Sequence, residues 1–236
     1  MIVLEHRGPA EIRLGVIHAQ NILTSSNHGD FESRLEQLLV RRQAELDPTE
    51  DEWRKSVRDM LRHGRFKPTG RGKPASEYLL GAARKGFFPR INSVVDICNY
   101  ISLSYLLPVS VWDAELAGVN QFLIRLGTAE ESYIFNQGGQ YIDLDGLVVG
   151  CAIENSGVTD SDGTPIVSPV KDSHATKTHD DSANIAAIIY APRNSGPAPD
   201  EILSNATHEF EQLISRCGTG VMASSGILDP GAILEV

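Results

Sequence analysis

Phe88-Pro89-Arg90-Ile91-Asn92-Ser93-Val94-Val95-Asp96-Ile97-Cys98-Asn99-Tyr100 is the stretch on which the reading of this chain turns. It reads as the start of a helix with two opposed faces. Asn92 is a good N-cap, because its side-chain oxygen accepts from an orphan backbone N–H of the first turn. Val94, Cys98, Ile101 and Tyr105 follow at helical spacing and mark the face turned to the core. Asn92, Asp96 and Asn99 recur at i, i+4 and i+7 on the opposite side, with Arg90 just upstream. A solvated face behind a cap accounts for that stripe. So does a wall of short polar groups lining a pocket.

Upstream of the stretch the chain is basic. From Arg54 to Arg90, eleven Lys/Arg stand against two acids, Asp59 and Glu77, so this segment carries about +9 and the remainder about −19 of the net −10. The overall charge argues against generic nucleic-acid binding, since phosphate contacts need Lys and Arg, and no DNA partner is expected. A basic patch on an acidic body is directional, and can hold an anionic partner in one orientation while the rest of the surface repels it. A solvated helical hairpin would carry the same charges. Within the segment, Asp47-Pro48-Thr49-Glu50 opens a helix whose buried stripe is Trp53, Val57, Met60 and Leu61. Arg65 to Pro74, with two prolines and two glycines among four cations, is a loop and a candidate phosphate contact. It lacks Walker spacing and is not a nucleotide-binding P-loop. Ala75 to Lys85 is a short helix with Tyr78, Leu79, Ala82 and Ala83 inward. Further upstream, residues 11 to 23 read as a strand, and Asp30 caps a helix carrying Leu35, Leu38 and Leu39.

Downstream, the period changes to short apolar segments around Val109–Trp112, Phe122–Leu126, Ser132–Phe135, Tyr141–Asp143 and Leu147–Cys151, separated by glycines. Asn155 to Thr164 reads as a hairpin tip with Asp162-Gly163 as turn chemistry. Asn184 to Ala191 is a buried strand, Asp200 caps a final helix, and a last strand is expected around Gly220 to Ala223. Helices followed by a run of strands make the class α+β. One domain is expected over 1–236, with a strand and basic helices at 1–87, the core at 88–220 and a tail at 221–236. No apolar run approaches a membrane span. Met1 to Leu4 is apolar but Glu5, His6, Arg7 and Pro9 follow at once, so no leader is expected. Cys98, Cys151 and Cys217 form neither a disulfide framework nor a metal set, and a cytoplasmic location is the default.

No nucleophile signature is present. His174 and His179, five apart beside Asp172, Asp180 and Asp181, sit on an irregular segment without a metal-site spacing; neither metal nor cofactor is expected. The polar density of Asp172, Ser173, His174, Thr176, Lys177, Thr178, Asp181, Ser182 and Asn184 fits a solvated hairpin or the lining of a small polar pocket.

Arg90 to Tyr100, then Pro108 and Trp112-Asp113, resembles the B3/B4 domain of the phenylalanyl-tRNA synthetase beta subunit, which carries an Arg-x-Asn-x-x-Val-Asp-x-x-Asn-Tyr helix followed by a proline and an aromatic-Asp strand. Trp53-Arg54, Phe66-Lys67-Pro68, Ser76-Glu77-Tyr78, and Thr176-Lys177 followed by Ser182 and Asn184, are similar to free-standing members of that family. The resemblance implies a layered, β-sandwich-like core with an N-terminal helical portion. It implies binding of tRNA and hydrolysis of a mischarged aminoacyl ester, with no aminoacylation machinery. A non-catalytic module binding tRNA or an amino acid on the same scaffold is the alternative. Carried onto this chain, the resemblance assigns Asp172, Thr176, Lys177 and Ser182 to the aminoacyl group and its water. Arg90, Asn92, Asp96, Asn99 and Ser110 support the pocket, and Lys67, Arg71 and Lys73 touch acceptor-stem phosphates. Ser110 stands where the family places a pocket histidine, Ser182 where it places a threonine, and Lys171-Asp172 where Arg-Gln is usual. The amino acid, the tRNA and the oligomeric state are therefore left open.

Overall fold

The computed structural model describes residues 1–25, 29–154 and 162–236. In chain order its elements are β1 (Val3–His6), β2 (Ile12–Gln20), α1 (Phe31–Gln43), α2 (Pro48–Asp59), α3 (Ala75–Arg84), α4 (Ser93–Tyr105), β3 (Val109–Asp113), α5 (Ala114–Ala117), β4 (Gln121–Leu126), β5 (Ser132–Ile134), β6 (Tyr141–Asp143), β7 (Val148–Ala152), β8 (Thr164–Val167), β9 (Asn184–Pro192), α6 (Pro199–Ile214), β10 (Met222–Leu228) and β11 (Ile233–Glu235). Single 3₁₀ turns occupy Gly70–Gly72 and His174–Thr176.

The strands form a five-stranded sheet, β11-β1-β4-β7-β8, a four-stranded sheet, β10-β2-β9-β3, and the small β5-β6 hairpin. β1 and β4 run parallel, and the other strand pairs of the two larger sheets are antiparallel. The two larger sheets pack face to face. Trp112 of β3 meets Phe122 of β4 edge-on at 5.1 Å, and Gly150 of β7 lies under Ile188 of β9. The other face of the four-stranded sheet is covered by α6, α4 and α2, with α1 and α3 packed on α4. This is an α+β fold of one helical layer and two sheets around a continuous core. Gly15 of β2 sits where α6 crosses, and a Cβ there would overlap the Thr207 hydroxyl. Close helix–sheet approach requires a glycine at that point.

Local signals explain most of the helical layer. Asp47 caps α2 by accepting from the Glu50 N–H at 2.8 Å, with Pro48 in the first turn. Asn92 caps α4 by accepting from the Val95 N–H at 3.0 Å. Elsewhere the structure differs from the sequence reading. Asp30 and Asp200 do not cap by side chain; α6 begins after Ala198, and Asp200 lies in its first turn, where a carboxylate suits the helix dipole. Tyr78 is exposed and Leu80 takes the inward place on α3. The apolar start at Val3–His6 and the end of the chain both form strands, so β10 and β11 close the two sheets against β2 and β1. The β7–β8 hairpin is present, and most of the Asn155–Thr164 tip lies outside the described residues. Among the described residues no helix is long and apolar enough to cross a membrane.

Candidate functional site

The polar stripe of α4 turns out to be a brace. Asp96 is only 5% exposed. Its carboxylate accepts from Arg90 Nε at 2.6 Å and from the Ile91 N–H at 2.9 Å. Arg90 then reaches across to Glu32 of α1 with a two-pronged contact at 2.8 and 2.6 Å. The acids hold the guanidinium charge firmly, Glu32 first and Asp96 second, against the cost of burial. Ser93 adds hydrogen bonds to the Leu23 and Thr24 carbonyls. Arg90, Asn92 and Asp96 line a cleft of about 410 Å³ together with Glu32 and Asp180. Asn99 is half-buried on the same helix. None of Ser110, Asp172, Thr176, Lys177 or Ser182 lines that cleft.

A second cluster forms where β3 meets the turn after β8. Ser110 points between the two sheets, fully buried; it donates to the Ser168 carbonyl at 3.0 Å and receives the Tyr190 hydroxyl at 3.2 Å. Asp172 folds back on the same turn. Its carboxylate accepts from the Val111 and Ser168 N–H groups, both at 3.3 Å. Burial pushes this acid up to about 6, opposed by the Ser110 hydroxyl, the two backbone donors and Lys177. The charge of Asp172 in turn adds to the burial that pushes the Tyr133 and Tyr190 hydroxyls well above their ordinary range. The turn itself is held by Ser168 Oγ donating to the Lys171 carbonyl and by Tyr133 donating to the same oxygen at 2.6 Å.

Thr176 and Ser182 take different places. Thr176 is buried, and its Oγ1 has no hydrogen-bond partner among the described residues. Ser182 donates to Asp113 at 2.5 Å and receives the His179 N–H at 2.9 Å. Asp113 is buried as well and caps α5 through the Glu115 and Leu116 N–H groups. His179 Nε2 stands 3.5 Å from that carboxylate and His174 is exposed; among the described residues no group of three or more His, Cys, Asp or Glu is arranged to hold a metal ion.

Lys177 leads to a third feature. Its ammonium donates to the Phe135 carbonyl at 2.6 Å, and the Lys171 ammonium sits 3.8 Å above the Phe135 ring. Phe135 and Lys171 belong to a groove of about 900 Å³ between the 65–72 segment and the β5-β6 hairpin. One side of it carries Arg65, Lys67 and Arg71, the other Tyr141, Asp143 and Asp145, and Phe66 and Tyr78 also line it. The 65–72 segment is pinned from below. Gly146, at φ +73°, lies against the His63 carbonyl, where a side chain would collide with the backbone. Lys73 is half-buried and outside the lining.

The matched family agrees with this geometry: the model described as the B3/4 domain covers residues 71–216. The chain belongs to the B3/4 domain family. It is the domain known from the phenylalanyl-tRNA synthetase beta subunit. No curated protein matches the chain. In this B3/4 domain the matched span includes Arg90 and Asp96 of the α4 brace, the Asp172 turn and the β5-β6 hairpin, whereas Glu32, Arg65, Phe66 and Lys67 precede it.

Several members of the site are not visible in sequence. Glu32 joins Arg90 from 58 residues away. Tyr133 and Tyr190 sit in apolar segments and meet Lys171 and Ser110 only in the folded chain, whereas Asp113 was marked by its place after Trp112 and only its partner Ser182 was not. Phe135 and Tyr141 read as ordinary hairpin residues. Lys171 had a signal, its place beside Asp172 in the family's segment.

Proposed function

We propose that this protein binds tRNA and hydrolyses the ester of a mischarged aminoacyl-tRNA in trans, without forming that bond itself. The observation that carries the reading is the linkage of two features through Phe135 and Lys177. An acid lifted to about 6 lies on one side of them, and a groove of cations and aromatic rings on the other. A pKa near 6 suits a general base at neutral pH, since the carboxylate is ionised yet retains basicity.

In this reading Asp172 takes a proton from water as the water oxygen adds to the ester carbonyl. The resulting oxyanion is met by donors from Thr176 Oγ1 and Lys177 Nζ. The carbon–oxygen bond to the ribose then breaks, and the ribose oxygen receives the proton from Asp172. An aminoacyl ester is already activated, so positioning plus one or two oxyanion donors is sufficient chemistry; one such donor is worth about 3 kcal/mol in comparable acyl-transfer sites. Ser110 and Ser182 act as supports, because each hydroxyl is committed to the fold.

The test is a deacylation screen across misacylated tRNAs, scored against buffer. Release from at least one substrate, rising with pH through about 6 to a plateau, is the expected result. Absence of any rate above buffer with folded protein overturns the hydrolase reading. A non-catalytic tRNA- or amino-acid-binding module is favoured by the commitment of Ser110 and Ser182 to structural bonds. Lys177→Ala separates the two readings: the hydrolase loses turnover and keeps tRNA binding, whereas the module has no turnover to lose.

A further inference from the structure

The groove beside the Asp172 turn has two unlike walls. Lys67 and Arg71 are exposed and in no ion pair among the described residues, and Lys171 faces the same space. Burial depresses the Lys171 charge, and the nearby Arg71 and Lys177 cations add to that depression. Three like charges on one wall with no carboxylate in ion-pair contact raise the local potential there and are relieved by an anion. The β5-β6 wall is different. Tyr141 is 68% exposed there, with Asp143 and Asp145 beside it. Tyr78 is 42% exposed at the mouth, held by its hydroxyl donating to the Gly70 carbonyl at 3.1 Å.

Two carboxylates exclude a phosphate from the hairpin side, yet they accept well from the amino groups on base edges. Exposed rings facing a line of cations form a stacking platform. A duplex offers phosphates on every exposed side and keeps its bases stacked on one another, so it satisfies only the cationic wall. We propose that this groove binds unpaired RNA, its phosphates along Lys67, Arg71 and Lys171 and its bases against Tyr141, Asp143 and Asp145. The inference rests on the reading of the protein as a tRNA binder and names which part of an RNA this face takes. Lys67, with Arg65 and Phe66 of the same groove, precedes the matched family segment, whereas Arg71, Lys171 and the hairpin wall lie within it.

The test measures fluorescence anisotropy of an RNA single strand of about eight nucleotides and of the same sequence as a duplex, with the full chain. The single strand is expected to bind roughly tenfold more tightly than the duplex at 0.1 M salt. Tyr141→Ala is expected to weaken it roughly tenfold with the salt slope unchanged, and Tyr141→Phe to restore it. Arg71→Ala is expected to lower the slope by about one. Equal binding of the duplex, or a Tyr141→Ala affinity within twofold of wild type, overturns the site. Deacylation measured on the same proteins keeps the two readings apart. Groove binding without deacylation removes the hydrolase and leaves the groove. Deacylation of a tRNA without the Tyr141 effect removes the groove and leaves the hydrolase.

Discussion

The cations of the helices and the cations of the 65–73 loop come from one basic segment, yet they have opposite fates. On α2 and α3 and at Arg90 they are paired. Arg54 contacts Asp51 and Glu77, Lys55 contacts Asp51, Arg58 contacts Glu77, Arg62 contacts Asp59, and Arg84 contacts Glu45. Arg90 contacts Glu32 and Asp96. Lys55 and Arg54 hold the Asp51 carboxyl down to about 2. In the loop, Arg65, Lys67, Arg71 and Lys73 have no ion pair among the described residues. The difference teaches that a charge count along the chain overstates the field. Glu32, Glu45 and Asp51 lie just upstream of the counted window and neutralise its helical part. What is left without an ion pair among the described residues is chiefly the loop, joined by Lys171 and Lys177 from far along the chain.

The sharpest way to break this contrast is to invert the loop. Lys67→Glu combined with Arg71→Glu and Lys171→Glu should lower tRNA affinity by roughly a hundredfold or more at low salt, with an unchanged melting curve. The paired helices should answer the other way. Glu77 is nearly buried between Arg54 and Arg58, so Glu77→Ala leaves Arg58 without its acid and Arg54 with Asp51 alone, and is expected to cost about 3 kcal/mol in denaturant melts while sparing RNA affinity.

Asp172 gives a pH test. Its folded value, about 6, lies above the ordinary carboxylate value of 3.8. Stability from this group is therefore fully present below about pH 4 and is lost as pH rises through about 6. With partial exposure allowed for, the loss is about 2 kcal/mol, and Asp172→Asn should flatten that part of the stability profile. Asn92→Ala removes the α4 cap and should cost about 1 kcal/mol. Arg62→Ala, in an exposed pair with Asp59, should change stability by less than about 0.5 kcal/mol; a larger change would blur the contrast between paired helices and open loop.

Legibility followed the range of the forces involved. The caps at Asp47 and Asn92, the breaks at 65–74 and the buried stripe of α2 are local, and the structure realises them. The polar face of α4 was legible as polar and not as a brace, because Glu32 is remote in sequence. Helical spacing alone puts Tyr78 inward, but its ring lies exposed along the groove and Leu80 fills the core. The tail carries little strand signal because β10, Met222–Leu228, has small and polar residues at Ala223, Ser224, Ser225 and Gly226. Its pairing comes from β2.

The sequence by itself determined the helix starts and breaks, the α+β order of elements and the existence of a cationic loop, all set by backbone preference and charge within a few residues. Only the tertiary structure decided which acids silence which arginines, that Asp172 lies against Ser110 with its carboxyl displaced to about 6, and that Lys171 and Lys177 join the loop across Phe135. Those outcomes depend on Coulomb and desolvation energies, which follow distance in space and are blind to distance along the chain.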